Sequence, residues 1–124
     1  MKLNPDCVRN ILLKIESLPG VKYEYRFSED TVPNDFPGYS YEEIEYHLRQ
    51  CDLHGYLYKV SYTLTGDCVV QDLSPLGHEF LSNIRSDNVW TKTKNVAGKI
   101  GSYSLDTLTK IATGVITELI KQQF

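Results

Sequence analysis

SYEEIEYHLRQCDLHGYLYKVSYTLTGDCVVQDLSPLGHEFL, residues 40–81, strings together a capped helix, a glycine stop, a two-strand hairpin and a second capped helix with no residues to spare. Ser40 and Glu43 form the S-x-x-E capping box, in which each side chain satisfies a free backbone amide of the other residue. At about 100° per residue, Tyr41, Ile44, His47, Leu48 and Cys51 fall on one side of the helix behind that box. Glu42, Tyr46, Arg49 and Leu53 fall on the other. Gly55 is placed for a left-handed stop. Tyr56–Tyr62 and Cys68–Leu73 are rich in aromatic and β-branched residues, and the glycine-containing turn Thr63-Leu64-Thr65-Gly66-Asp67 joins them into a hairpin. Ser74-Pro75 then opens a helix whose apolar face is Leu76, Phe80, Leu81 and Ile84.

Working outward, Asn4-Pro5 is a helix start, and Val8, Ile11, Leu12, Ile15 and Leu18 give that helix one apolar stripe ended by Pro19-Gly20. Val21, Tyr23, Tyr25 and Phe27 alternate with Lys22, Glu24 and Arg26, the period of a strand with one buried face. From Ser28 to Tyr39 the density of Pro, Asn, Asp and Gly predicts a loop, with no convincing helix inside it. Beyond residue 86, Asn88 is read as the cap of a helix from Val89 to Ile100 ended by Gly101, and Ser104 starts a last helix. The order helix, strand, helix, hairpin, helix predicts an α+β winged helix over residues 1–86, with residues 87–124 as a C-terminal helical extension. The wide apolar face of the last helix is read as a homodimer contact through Leu105, Leu108, Ile111, Val115 and Leu119, the alternative being another core helix.

The 124 residues suffice for one modest core. Net charge is −3, and the acidity lies in the first half: residues 1–62 carry 7 Lys+Arg against 10 Asp+Glu, residues 63–124 carry 6 of each. No basic stripe of the kind that grips a phosphate backbone is visible. Cys7, Cys51 and Cys68 are odd in number, and Met1-Lys2-Leu3-Asn4-Pro5 has no apolar signal region, so reduced thiols in a cytoplasmic protein are expected. Leu105–Ile120 is interrupted by Asp106, Lys110 and Glu118 and is shorter than the roughly 20 residues of a membrane span. No membrane partner is expected.

His47, Cys51 and His54 recur at i, i+4 and i+7 on one helix, a zinc-capable set that lacks a fourth ligand. Packing of His47 and Cys51 beside Ile44 and Leu48 is the simpler reading, and no metal or other cofactor is expected. A nucleophile and base could be drawn from Cys51 or Cys68 with His47, His54 or His78. Most proteins offer as much, and no phosphate loop, nucleophile elbow or metalloprotease motif is present, so no catalytic residue is assigned.

Leu3-Asn4-Pro5-Asp6-Cys7-Val8-Arg9, Tyr39-Ser40-Tyr41 with Glu43-Ile44 and His47-Leu48, and Gly55-Tyr56-Leu57 resemble a family of uncharacterised bacterial, phage and prophage proteins, the domain of unknown function DUF2513. Leu73-Ser74-Pro75-Leu76-Gly77-His78-Glu79-Phe80-Leu81, Asn83-Ile84-Arg85 and Val89-Trp90 extend the resemblance over nearly the whole chain. It implies a cytoplasmic, often phage-borne protein of winged-helix type and carries no catalytic residues. Leu73-Ser74-Pro75-Leu76-Gly77 also resembles, loosely, the Leu-Thr-x-x-Gly ending of many winged-helix regulators, with Ser74 in place of Thr.

The leading functional expectation is a non-catalytic regulator that binds nucleic acid through Tyr46, Arg49 and Gln50 of the Ser40-capped helix, with Lys59 and Thr65 on the wing. Arg85, Lys92, Lys94 and Lys99 are expected to supply backbone contacts. Against it, Glu42, Glu43 and Glu45 crowd the turn that would meet phosphate. The alternative places a host protein on the same face, because Tyr46 and Leu53 point outward and six of the nine tyrosines fall between Tyr39 and Tyr62.

Overall fold

The structure, a computed structural model, describes residues 1–124. Six helices and three strands follow in the order α1 (Pro5–Glu16), β1 (Tyr25–Phe27), α2 (Val32–Asp35), α3 (Tyr41–Leu53), β2 (Leu57–Tyr62), β3 (Cys68–Leu73), α4 (Pro75–Ile84), α5 (Asp87–Ile100) and α6 (Leu105–Gln123). The sheet is antiparallel with β3 between β1 and β2. Element order and strand order are consistent with a winged helix.

Five of the helix starts are closed by a side chain of the chain's own, because the first-turn amides have no partner inside a helix. Asn4 accepts from the Asp6 amide at 3.0 Å, Ser40 from Glu43 at 3.1 Å, Ser74 from Gly77 at 3.1 Å and Ser104 from Thr107 at 3.1 Å. The Ser40–Glu43 box is complete, with the Glu43 carboxylate accepting the Ser40 amide at 3.2 Å. The cap of α5 is Ser86, at 3.4 Å from the Val89 amide, not Asn88. Starting one turn-half earlier brings Asp87 into the first turn, where it favours the helix dipole and pairs with Arg9 at 3.0 Å.

Two other expectations change. The strand predicted from Val21 shrinks to three residues. The Tyr23 amide closes a turn onto the Gly20 carbonyl, and the Gln71 side chain, donating at 2.8 Å, takes the Val21 carbonyl that a longer ladder would have used. The predicted loop contains the single helical turn α2. Its entry is built by Thr31, whose hydroxyl donates to the Arg26 carbonyl at 2.7 Å and accepts the Ser28 amide at 3.0 Å. Its anchors are buried Val32 and Phe36, the latter stacked on Phe27 at 5.8 Å between ring centroids.

Cys7, Val8, Ile11, Leu12 and Ile15 of α1 form the centre of the core, meeting Ile44, Leu48 and Cys51 of α3 and Phe80, Leu81 and Ile84 of α4. Trp90 and Ala97 of α5 and Leu105, Leu108 and Ala112 of α6 belong to the same core. Tyr56, fully buried before β2, stacks on Phe80 at 5.1 Å and hydrogen-bonds Thr109 of α6, which ties the hairpin to both C-terminal layers. No helix is long and apolar enough to cross a membrane.

Candidate interaction face on α3 and the wing

The capping box sets the rotation of α3, so Ile44, His47, Leu48 and Cys51 face inward and Glu42, Arg49 and Leu53 face solvent. Leu53 is 82% exposed, unusual for a leucine in a helix with a packed inner face. On one flank, Tyr46, Gln50, Leu53 and His54 line an open trough of about 410 Å³, completed by Leu3 and by Ser104, Leu105 and Asp106 at the start of α6. On the other flank, Arg49 donates to Glu45 at 3.2 Å and lies 4.6 Å from the centroid of the Tyr62 ring, whose hydroxyl donates to Asp52 at 3.2 Å. Arg49 is the sole Lys or Arg on α3, against Glu42, Glu43, Glu45 and Asp52.

The wing residues are accessible. Lys59 adopts a left-handed backbone, φ 53°, and its ammonium group sits 5.5 Å from the Tyr58 ring. Thr65, at the hairpin tip, shares a 2.9 Å hydrogen bond with Thr63. The expected late basic cluster divides. Arg85 donates to both carboxylate oxygens of Glu16, one contact at 2.6 Å, and this pairing lowers the Glu16 pKa and raises that of Arg85. Lys94 donates at 2.9 Å to Asp6, which also accepts from the Trp90 indole at 2.8 Å. Burial raises the Asp6 pKa, but these hydrogen bonds and the charge of Lys94 outweigh it and leave the carboxyl below its ordinary value. Lys92 and Lys99 are exposed and unpaired, on a helix that packs on α4 and α6.

His47 is buried and uses both ring nitrogens: Nδ1–H donates to the Glu43 carbonyl and Nε2 accepts the Asn4 amide, each at 2.7 Å. That leaves no lone pair for a metal. His54 instead lies edge-on to Tyr56 at 4.7 Å. Burial raises the thiol pKa of Cys51 and takes Cys7 and Cys68 up to about 12, so none is present as a ready thiolate near neutral pH.

The residues read as a dimer contact also divide. Leu105 and Leu108 are buried in the chain's own core, because the start of α6 lies against α4 and α5, and Val115 further along the helix is buried as well. Ile111 is half-buried, and exposed apolar surface on α6 begins at Leu119, 38% accessible, and Ile120, 54% accessible. Leu3, Ser104 and Asp106 carry no site signal in the sequence, and Leu105 signals only a dimer contact, yet all four line the trough. Their place beside α3 depends on how the N-terminus and α6 pack, which no local pattern reports.

The fold and this face define a small α+β protein with an acidic outward helix beside an open apolar trough. The family model described as "Hypothetical protein (DUF2513)" matches residues 2–104, and the chain belongs to that family. A Haemophilus influenzae protein described as "Uncharacterized protein" is 32% identical over 123 residues, spanning 97% of this chain and 99% of that protein. The family match stops before α6, whereas the Haemophilus relative continues through it. No solved structure matches.

Proposed function

We propose that the protein is a non-catalytic interaction module that binds another protein through the outward face of α3, the neighbouring trough and the wing. The observation that carries this reading is the state of α3: its one arginine is held by Glu45 and Tyr62 while Leu53 stands in solvent. A phosphate backbone approaching this helix meets unneutralised carboxylates, and cation contacts supply most non-specific nucleic-acid affinity. An aromatic residue and a leucine beside a trough are the features of a protein-binding surface. The phage or prophage accessory role implied by the family resemblance is part of this reading.

Nucleic-acid binding is the second reading, favoured by the unpaired Lys92 and Lys99 on α5. Two measurements separate them. Affinity capture of a host protein should be lost with Tyr46→Ala and Leu53→Ala while a low-salt gel shift shows no retention of duplex or single strand. Duplex retention that collapses as salt rises, with capture unchanged by the two substitutions, overturns the protein-binding reading.

A further inference from the structure

We infer that Lys59 keeps the open edge of the wing from pairing with the same edge of a second copy of this chain. The sheet has two edges, and only one is closed. β1 is three residues long, and the Arg26 carbonyl at its middle is taken by the Thr31 hydroxyl at 2.7 Å. β2 is six residues long, ends the sheet on the other side, and has no backbone hydrogen bond outside the hairpin. A row of unpaired amides and carbonyls is a template for a further strand, and proteins blunt it with kinks and with lysine.

Both devices meet at residue 59. Inward side chains recur every second residue in a continuous strand, yet Leu57 and Val60 both pack on the core, three residues apart. The ladder pairs Tyr58 with Asp72 and Val60 with Val70 and skips Lys59, which takes up the extra residue at φ 53°. The edge is thereby divided into Leu57–Tyr58 and Val60–Tyr62, each shorter than the usual strand of about five to six residues. Gly38, Gly55, Gly66 and Gly101 fill the other positive-φ positions, where glycine is free of steric cost, and Lys59 alone keeps a side chain there. A side chain retained against that cost points to a use. This one sets a solvent-exposed ammonium group on the open edge. An incoming strand would strip water from that charge, and a two-fold pairing of β2 with β2 would bring two such charges together.

The test compares the full chain with Lys59→Gly, Lys59→Glu and Lys59→Val by light scattering across concentration, with amide hydrogen exchange read at Val60 and Tyr62. The unaltered chain and Lys59→Glu should not associate through this edge. Lys59→Gly, which keeps the kink but not the charge, should associate as concentration rises. Lys59→Val, which also opposes the kink, should do so at about tenfold lower concentration, and in both the exchange at Val60 and Tyr62 should slow on association. Glycine suits the backbone at this position, so Lys59→Gly carries the test by itself where Lys59→Val does not fold. A folded Lys59→Gly with the mass of the unaltered chain at every concentration overturns the inference. So does association of Lys59→Glu equal to that of Lys59→Gly, or an unaltered chain already paired through β2. A random-sequence DNA duplex retained by the unaltered chain and lost by Lys59→Gly and Lys59→Glu, with no change in mass, assigns the side chain to a phosphate contact and overturns it as well.

Discussion

Gly77 on α4 lies so close to Tyr56 that a Cβ added there would sit 2.2 Å from the Tyr56 carbonyl oxygen. That carbonyl accepts the Ser74 amide at 2.9 Å, and the Ser74 hydroxyl donates to the Gly55 carbonyl at 2.5 Å. The start of α4 is therefore clipped to the backbone that enters the wing. Gly77→Ala forces backbone against side chain and should cost about 3 kcal/mol or more. Gly114→Ala, in open space within α6, should instead stabilise by about 0.5–1 kcal/mol. Chemical denaturation of the pair checks both signs.

His47 joins α3 to the cap of α1, since its Nε2 accepts the Asn4 amide at 2.7 Å. His47→Leu keeps much of the volume but leaves that amide, and the Glu43 carbonyl, without their ring partner. A loss of about 1–3 kcal/mol is expected. His47→Gln retains one acceptor and should recover part of it. Equal loss in the two variants, measured by urea unfolding, would show that shape rather than hydrogen bonding sets the position.

Lys59 holds φ 53° within an edge strand, a conformation that costs an L-residue about 1–2 kcal/mol. Lys59→Gly removes that strain but loses about 0.5–1 kcal/mol through the freedom of the unfolded glycine. The net expectation is a small stabilisation, on the order of 0.5 kcal/mol. Lys59→Val should be destabilising, because a β-branched side chain tolerates positive φ least. A thermal midpoint that falls for Lys59→Gly would contradict this balance.

Glu16 and Asp6 are both held below their ordinary values of 4.5 and 3.8, Glu16 by Arg85 and Asp6 by Lys94 and Trp90 against the effect of burial. A carboxyl with a depressed folded pKa contributes stability that is complete above its unfolded value and is lost as pH falls through the folded one. The thermal midpoint should therefore decline as pH drops below 4.5. Glu16→Gln should be less stable at neutral pH and show a shallower acid decline. Both groups are partly exposed, so salt should reduce the difference.

How much was legible depended on the range of the determining contacts. The caps at Asn4, Ser40, Ser74 and Ser104 each bond an amide two or three residues away, and the sequence alone places them. At Ser86 against Asn88 two good caps lie close together, and the choice fell to the site that lets Asp87 meet Arg9, 78 residues distant in sequence. The turn α2 escaped notice because its four residues are too few for a helical period, and its anchor, Phe36, is recognisable only beside Phe27. On α3 the inward and outward sets follow from a 100° rotation per residue, which made Leu53 readable as exposed.

By itself the sequence determined the succession of elements, the hairpin and the two faces of α3, since periodicity and capping act within a turn or two of the chain. Only the tertiary structure decided which cations remain free, where Leu3 and Leu105 meet α3, and which part of α6 is covered. Ion pairs such as Arg85 with Glu16 and walls such as those of the trough join residues far apart in sequence, and their energies exist only once the elements have packed.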